Sequence, residues 1–308
     1  MWIVKHRNIF YGVSAVLVAI SVVALLTWGL KVGIDFNGGS LLEIAYNESP
    51  APTNEEVSEA LKSVGIEGSS VRPTGETGYI IRTPFLSPEQ FSAMNLALTS
   101  GTHTFEQKRY DSIGPTIGTE LQTKSVWAIV LVLVAIALFI MLAFRHVSKP
   151  VSSWKYGLIA LVSLAHDVII PVGAFSILGH FMGAEVDTLF VTAVLVVLGF
   201  SVHDTIVVFD RVRENLKMNH DKKIAEPFEE TVGKSISQTL NRSINTSLTV
   251  VFVLATLLIL GPAVTHFFVT ALLIGVIVGT YSSVFIGSPL LVTIEKMQKP
   301  QVEPKKKR

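Results

Sequence analysis

Asp167 and Asp204 each follow a histidine, His166 and His203, and each His-Asp pair lies inside a run of apolar residues. A charged side chain in the middle of a membrane helix costs ~2.5–3.5 kcal/mol on insertion scales, so an acid kept there wants a reason. Histidine titrates near neutrality, and Pro171, four residues after Asp167, frees the Asp167 carbonyl from helix bonding. Ser201 shares a helical face with Asp204, three residues earlier. Arg242, Asn245, Thr246 and Thr249 follow i, i+3, i+4, i+7 spacing and make a polar stripe at the start of another apolar run. Asp204 and Arg242 then fall at similar depth. A carboxylate that meets a guanidinium releases its proton, and one that loses it in dry surroundings takes a proton up. Moving one charge across a membrane potential is worth ~2.3 kcal/mol per 100 mV, enough to bias a conformational change. Structural hydrogen bonds are the plain alternative for the two acids, and two acids in adjacent spans weigh against it. For Arg242 an interfacial anchor competes on level terms.

The elements that must hold these residues are membrane helices. Hydrophobic residues make up 49% of the 308 and charged residues 16%, with mean hydropathy +0.52, which sets the chain apart from soluble folds. Uncharged or nearly uncharged runs long enough to cross a bilayer are expected at 9–30, 125–144, 156–181, 188–209, 244–260 and 267–292. The first is longer than a signal-peptide core and lacks a clear small-x-small cleavage site, so it reads as a retained span. Basic residues alternate with these spans. Lys5 and Arg7 precede the first (segment 1–8); Arg145, Lys149 and Lys155 lie in 145–155; seven fall in 210–243; and the tail, 293–308, ends Lys305–Arg308. Loops 182–187 and 261–266 hold no Lys or Arg. Because basic loops stay cytoplasmic, both termini are expected there, with the tail a solvated anchor rather than a nucleic-acid contact. The sequence contains no cysteine.

Residues 31–124 are polar and form the domain on the opposite side. Strands are expected at 40–46, 79–83 and 104–110, a helix opening at Thr53 and stopping at Gly65, and a second opening at Ser87. Turn punctuation falls at 73–78 and 114–118. This makes a small α+β domain, for which the ferredoxin-like fold is one candidate. His103 is a lone histidine there, and a binding or coupling module fits better than a catalytic one. In the last span Gly275, Gly279, Ser283 and Gly287 recur every four residues, the spacing of a tight helix interface. Two His-Asp pairs could in principle ligate a metal, but no catalytic metal motif accompanies them.

Gly33-Ile34-Asp35-Phe36-Asn37-Gly38-Gly39 and Gly114-Pro115-Thr116-Ile117-Gly118 resemble signatures of the SecF family of bacterial export proteins. So do Gly199-Phe200-Ser201-Val202-His203-Asp204-Thr205, Asn241-Arg242-Ser243-Ile244-Asn245-Thr246 and Gly279-Thr280-Tyr281-Ser282-Ser283. The likeness runs in order from the first span to the sixth. It implies a non-enzymatic subunit, related to resistance–nodulation–division transporters, that pairs with SecD into a twelve-span unit. That unit would sit in the inner membrane beside the SecYEG channel and use the proton gradient, with no cofactor, to help draw preproteins across. The resemblance puts the essential acid on Asp204, its basic partner on Arg242, and Asp167 in a supporting role. The family has Tyr and Asn where this chain has Phe200 and His203. Half of a proton-coupled small-molecule exporter is the alternative, and the external domain is small for a drug-binding funnel.

Overall fold

A computed structural model of the chain describes residues 2–47, 50–99, 103–145 and 150–298. Lys149, most of the basic tail and Lys305–Arg308 lie outside the described residues. In chain order the elements are α1 (Trp2–Lys5), α2 (Arg7–Trp28), α3 (Ile34–Asn37), β1 (Gly39–Tyr46), α4 (Asn54–Ser63), β2 (Ser70–Thr74), β3 (Gly78–Thr83), α5 (Pro88–Leu98) and β4 (Phe105–Ile113). Then follow α6 (Pro115–Ala143), α7 (Ser153–Met182), α8 (Thr188–Asp221), α9 (Phe228–Leu260), α10 (His266–Ser282) and α11 (Ser288–Met297). Two compact units result. Residues 31–128 and 185–191 form one, and the membrane helices form the other.

The first unit is a βαββαβ sheet domain with strand order β2-β3-β1-β4, every pair antiparallel. That is the split βαβ, ferredoxin-like arrangement. Its core follows from alternation: Leu42, Ile44 and Tyr46 of β1 and Tyr79 and Ile81 of β3 point to one face. There they meet Val57 and Leu61 of α4 and Met94 and Leu98 of α5. Both helices open with a capping box, Thr53 with Glu56 and Ser87 with Gln90, which satisfies two otherwise orphaned amides at each N-terminus. Residues 73–74, expected to belong to a turn, are strand. Pro73 sits opposite Tyr79 in β2, an edge strand, where a residue without an N–H is tolerated.

Among the described residues six helices are long and apolar enough to cross a membrane. The helices run beyond the apolar stretches. Residues 115–118 were expected as a turn and are instead the first turn of α6, with Pro115 at the helix start, where its missing N–H costs nothing. Segment 210–243 is not a loop. Helix α8 continues to Asp221 and α9 begins at Phe228, because Val208, Phe209 and Val212 bury against Phe228, Val232 and Ile236. The charges there lie on the outer faces of two amphipathic helix ends. The last span is helical throughout but widened midway. A π turn at Ser283–Gly287 joins α10 to α11, and Pro289, which cannot donate to the carbonyl four residues back, follows it. The small-residue ladder therefore changes partner midway. A Cβ on Gly275 would stand 2.3 Å from Val197 of α8, whereas one on Gly287 would meet Ser163 of α7.

At one end of this unit Arg7 pairs with Glu229 at 3.1 Å, and Lys296 reaches the same carboxylate. The start of α2, the start of α9 and the end of α11 are thus tied together.

Candidate functional site

Helix α7 contributes His166 and Asp167, both buried. The Asp167 carboxylate collects hydrogen bonds at the meeting of three helices. Its Oδ1 lies 2.9 Å from His166 Nδ1, and its Oδ2 accepts from Ser201 Oγ of α8 at 2.5 Å and from Ser282 Oγ of α10 at 2.7 Å. Close approach makes this possible. Gly279 faces Ser201 with no room for a Cβ, so α10 can bring Ser282 to the carboxylate. The His166 ring stacks on Tyr281 at 6.4 Å between centroids, and Tyr281 donates to the Phe10 carbonyl of α2. His166 Nε2 is buried without a hydrogen-bond partner.

Asp204 stands one turn beyond Ser201 on α8 and is only 3% exposed. Its Oδ2 is buried and unpartnered, as is the Ser243 hydroxyl of α9. Ser243, His203 and Arg242 are the groups near enough to act on it. Among the described residues no ion pair joins Asp204 to Arg242. Arg242, Asn245, Thr246 and Thr249 are instead exposed on the outer face of α9, while Ser243 and Ser247 face inward. His203 is likewise exposed, on the face of α8 away from Asp167. In this arrangement Arg242 acts on Asp204 only through its charge, and the hydroxyl beside the carboxyl is that of Ser243. The stripe lies about 100° around the helix from the buried face.

The signature residues of the first loop belong to the sheet domain. Asp35 Oδ2 accepts from the Thr188 amide at 2.9 Å and from the Thr188 hydroxyl, capping the first turn of α8, and Asp187 accepts from the Phe190 amide at 2.7 Å. Asp187 is held above the usual carboxylate range chiefly by burial, with Asp35 and Glu185 adding like charge. Gly38 and Gly39 have φ of +75° and +142°, which side chains rarely adopt. Gly118 packs on the Phe36 carbonyl. Gly114 and Pro115 lead into α6. His103 stacks edge-on against Tyr46. Among the described residues no group of three or more His, Asp or Glu side chains could hold a metal ion.

Ser243, Ser282 and Asp187 were not legible as site residues. Each is an ordinary polar residue whose importance comes from what another helix or loop brings to it.

Residues 94–297 match the family model described as protein export membrane protein SecD/SecF, C-terminal. The chain belongs to this SecD/SecF export family. Among curated proteins, the protein translocase subunit SecF of Thermobaculum terrenum is 42% identical over 306 residues, covering 95% of this chain and 93% of that one. The SecF subunit of Anaerolinea thermophila is 36% identical over 295 residues, covering 95% and 94%. A crystal structure of SecDF, a translocon-associated membrane protein from a Thermus species, matches with a TM-score of 0.80 at 29% identity. It covers 95% of this chain, which spans 38% of the SecDF chain. A super-membrane-facing form of SecDF gives a TM-score of 0.64 at the same identity. The chain is thus a multi-pass member of a family of protein translocase subunits, whose role is transport.

Proposed function

We propose that this SecF-family chain is the proton-driven half of a translocation motor. It pairs with SecD, associates with the SecYEG channel and helps complete the passage of preproteins across the inner membrane. The observation that carries the reading is the unpartnered carboxylate oxygen of Asp204. A buried acid with one oxygen unpartnered, and a neutral hydroxyl, Ser243, as its nearest donor, is expensive as structure and useful as a carrier. The outward face of α8 and α9 supports the partner. His203, Arg242, Asn245 and Thr246 form an exposed polar patch on membrane-spanning helices, a costly surface to leave against lipid tails. A second six-span half would cover it, and Arg242 then becomes the cation that Asp204 meets when the halves move. The larger SecDF chain leaves room for such a half. Both termini are assigned to the cytoplasm. Basic segments alternate with the spans, and the Arg7–Glu229–Lys296 cluster gathers the start of α2 and the end of α11 at one end.

The test is Asp204→Asn in cells whose export is followed with the proton gradient intact and collapsed. Loss of the gradient-dependent part, with insertion and SecD association unchanged, is the expected result. Normal gradient-dependent export by that variant would sink the reading.

A further inference from the structure

The surroundings of Asp167 are more elaborate than a helix clamp needs. A permanently ionised clamp is complete once its oxygens accept three donors, here the Ser201 and Ser282 hydroxyls and, in the tautomer that carries its hydrogen on Nδ1, the His166 ring. Two further features leave room for a second protonation state. The Ser282 hydroxyl has a second acceptor in place, the Gly279 carbonyl at 3.1 Å, besides Asp167 at 2.7 Å. The His166 ring, bonded to Asp167 through Nδ1, leaves Nε2 buried and unpartnered. We propose that Asp167 is a second proton-loading site, entered through His166 and accommodated in its neutral state by a turn of the Ser282 hydroxyl.

The proton count closes. In the ionised state Ser201 and Ser282 donate to Oδ2, and His166 donates its Nδ1 hydrogen to Oδ1. A proton arriving at Nε2 makes an imidazolium, and the Nδ1 hydrogen then passes to Oδ1. The histidine is left neutral with its hydrogen on Nε2, and the carboxyl is neutral. The acid hydrogen on Oδ1 now donates back to Nδ1, so both atoms stay satisfied. Oδ2 has become a carbonyl-like acceptor, which holds two hydroxyls less strongly than a carboxylate does. Ser282 can shift its hydrogen to the Gly279 carbonyl without orphaning it. Ser282 is the last residue before the π turn, so the change is delivered at that turn of the last span. The titratable groups facing the site are His166 on α7, Tyr281 on α10 and, one turn along α8, Asp204. Among the described residues no Lys or Arg pairs with Asp167.

This rests on the proton-driven reading, but its test does not pass through export. Purified full-length protein in lipid vesicles is taken from mildly acidic to mildly alkaline buffer while the carboxylic C=O infrared band is recorded. The expected result is a pH-dependent band that survives in Asp204→Asn, disappears in Asp167→Asn and keeps its frequency in Ser282→Ala, where the carboxylate bands of the ionised state shift instead. Ser282→Thr, which keeps the hydroxyl, restores the parent carboxylate bands. A parent spectrum with no Asp167-dependent band overturns the loading site. A carboxylic band that rises in frequency in a well-folded Ser282→Ala, the mark of a hydroxyl still donating to the neutral carboxyl, overturns the hydroxyl switch. Failure of Asp204→Asn to affect export would remove the transport reading and leave these spectra standing.

Discussion

Gly279 of α10 lies so close to Ser201 of α8 that a Cβ on the glycine would stand 2.9 Å from the serine Cβ. Ser201 is also the residue that ties α8 to Asp167. One glycine thus sets the spacing of two helices and the reach of a hydroxyl. Gly279→Ala must push the serine backbone away, since a short side chain has no flexible end to yield. Overpacking of this kind costs about 1–3 kcal/mol. A lowered unfolding midpoint of the purified protein in detergent is expected. Gly199→Ala is the control: nothing lies within 4 Å of its Cβ position, and the change should stay within about 0.5 kcal/mol of the parent. Equal effects at the two glycines would contradict the packing argument.

The signature glycines of the sheet domain separate in the same way. Gly38 combines φ of +75° with a Cβ position 2.8 Å from Pro115 Cα, and Gly39 has φ of +142° and a Cβ position 2.7 Å from the Thr83 carbonyl. Both restrictions come from backbone, which cannot swing aside. Alanine at either should cost about 1–3 kcal/mol from strain, before the clash is counted. Gly114 has neither restriction, so Gly114→Ala should be tolerated. Limited proteolysis of the three variants in membranes would rank them. A Gly114 variant cleaved as fast as the Gly38 variant would refute the distinction.

Much of this architecture was legible because it rests on local chemistry. Runs of apolar residues mark the spans, Thr53 and Ser87 mark helix starts, and alternation from Leu42 to Tyr46 marks a strand. The rest depends on which face turns inward, and composition does not say. Helix α9 is polar on two faces at once. Arg242, Asn245 and Thr246 make one face, and Thr239, Ser243 and Ser247 make the other. The charge of Arg242 draws attention to one face, while packing buries the face with small hydroxyls, which cost less to desolvate and let helices approach. Strand β2 was hidden by Pro73 for a similar reason. An edge position removes the penalty that proline carries elsewhere. The three-helix convergence on Asp167 could not be read, since Ser201 and Ser282 lie 81 positions apart and only tertiary packing joins them.

The two capping boxes should be separable. Thr53 Oγ1 accepts from the Glu56 amide while Glu56 accepts from the Thr53 amide, and Ser87 and Gln90 repeat the exchange. Thr53→Ala and Ser87→Ala should each cost ~1 kcal/mol. Because α4 and α5 both cover the Leu42–Ile44 face, either loss should also raise exchange in β1. Hydrogen exchange on the full-length protein checks this. Faster exchange confined to the first turn of each helix would mean that fraying, not core opening, absorbs the loss.

Asp187 supplies a pH dependence whose sign can be worked out. Its carboxylate accepts from the Phe190 amide, which favours the ionised form, but burial outweighs this bond, and Asp35 and Glu185 add like charge. Arg82 is the nearby cation, and its Nε is engaged by Glu185 at 3.1 Å. The folded state therefore binds a proton at Asp187 more readily than the unfolded chain does. The contribution of this group to stability is fully present below the ordinary carboxylate value of 3.8 and is lost as pH rises through the raised one. Asp187→Asn keeps an oxygen acceptor for the Phe190 amide and deletes the titration. Thermal unfolding across mildly acidic buffers should then show a flatter pH slope than the parent, with stability at neutral pH equal or higher. A variant that keeps the parent slope would place the titration on another group. Lower stability at neutral pH would mean that the charge of Asp187, and not only its capping oxygen, holds the start of α8.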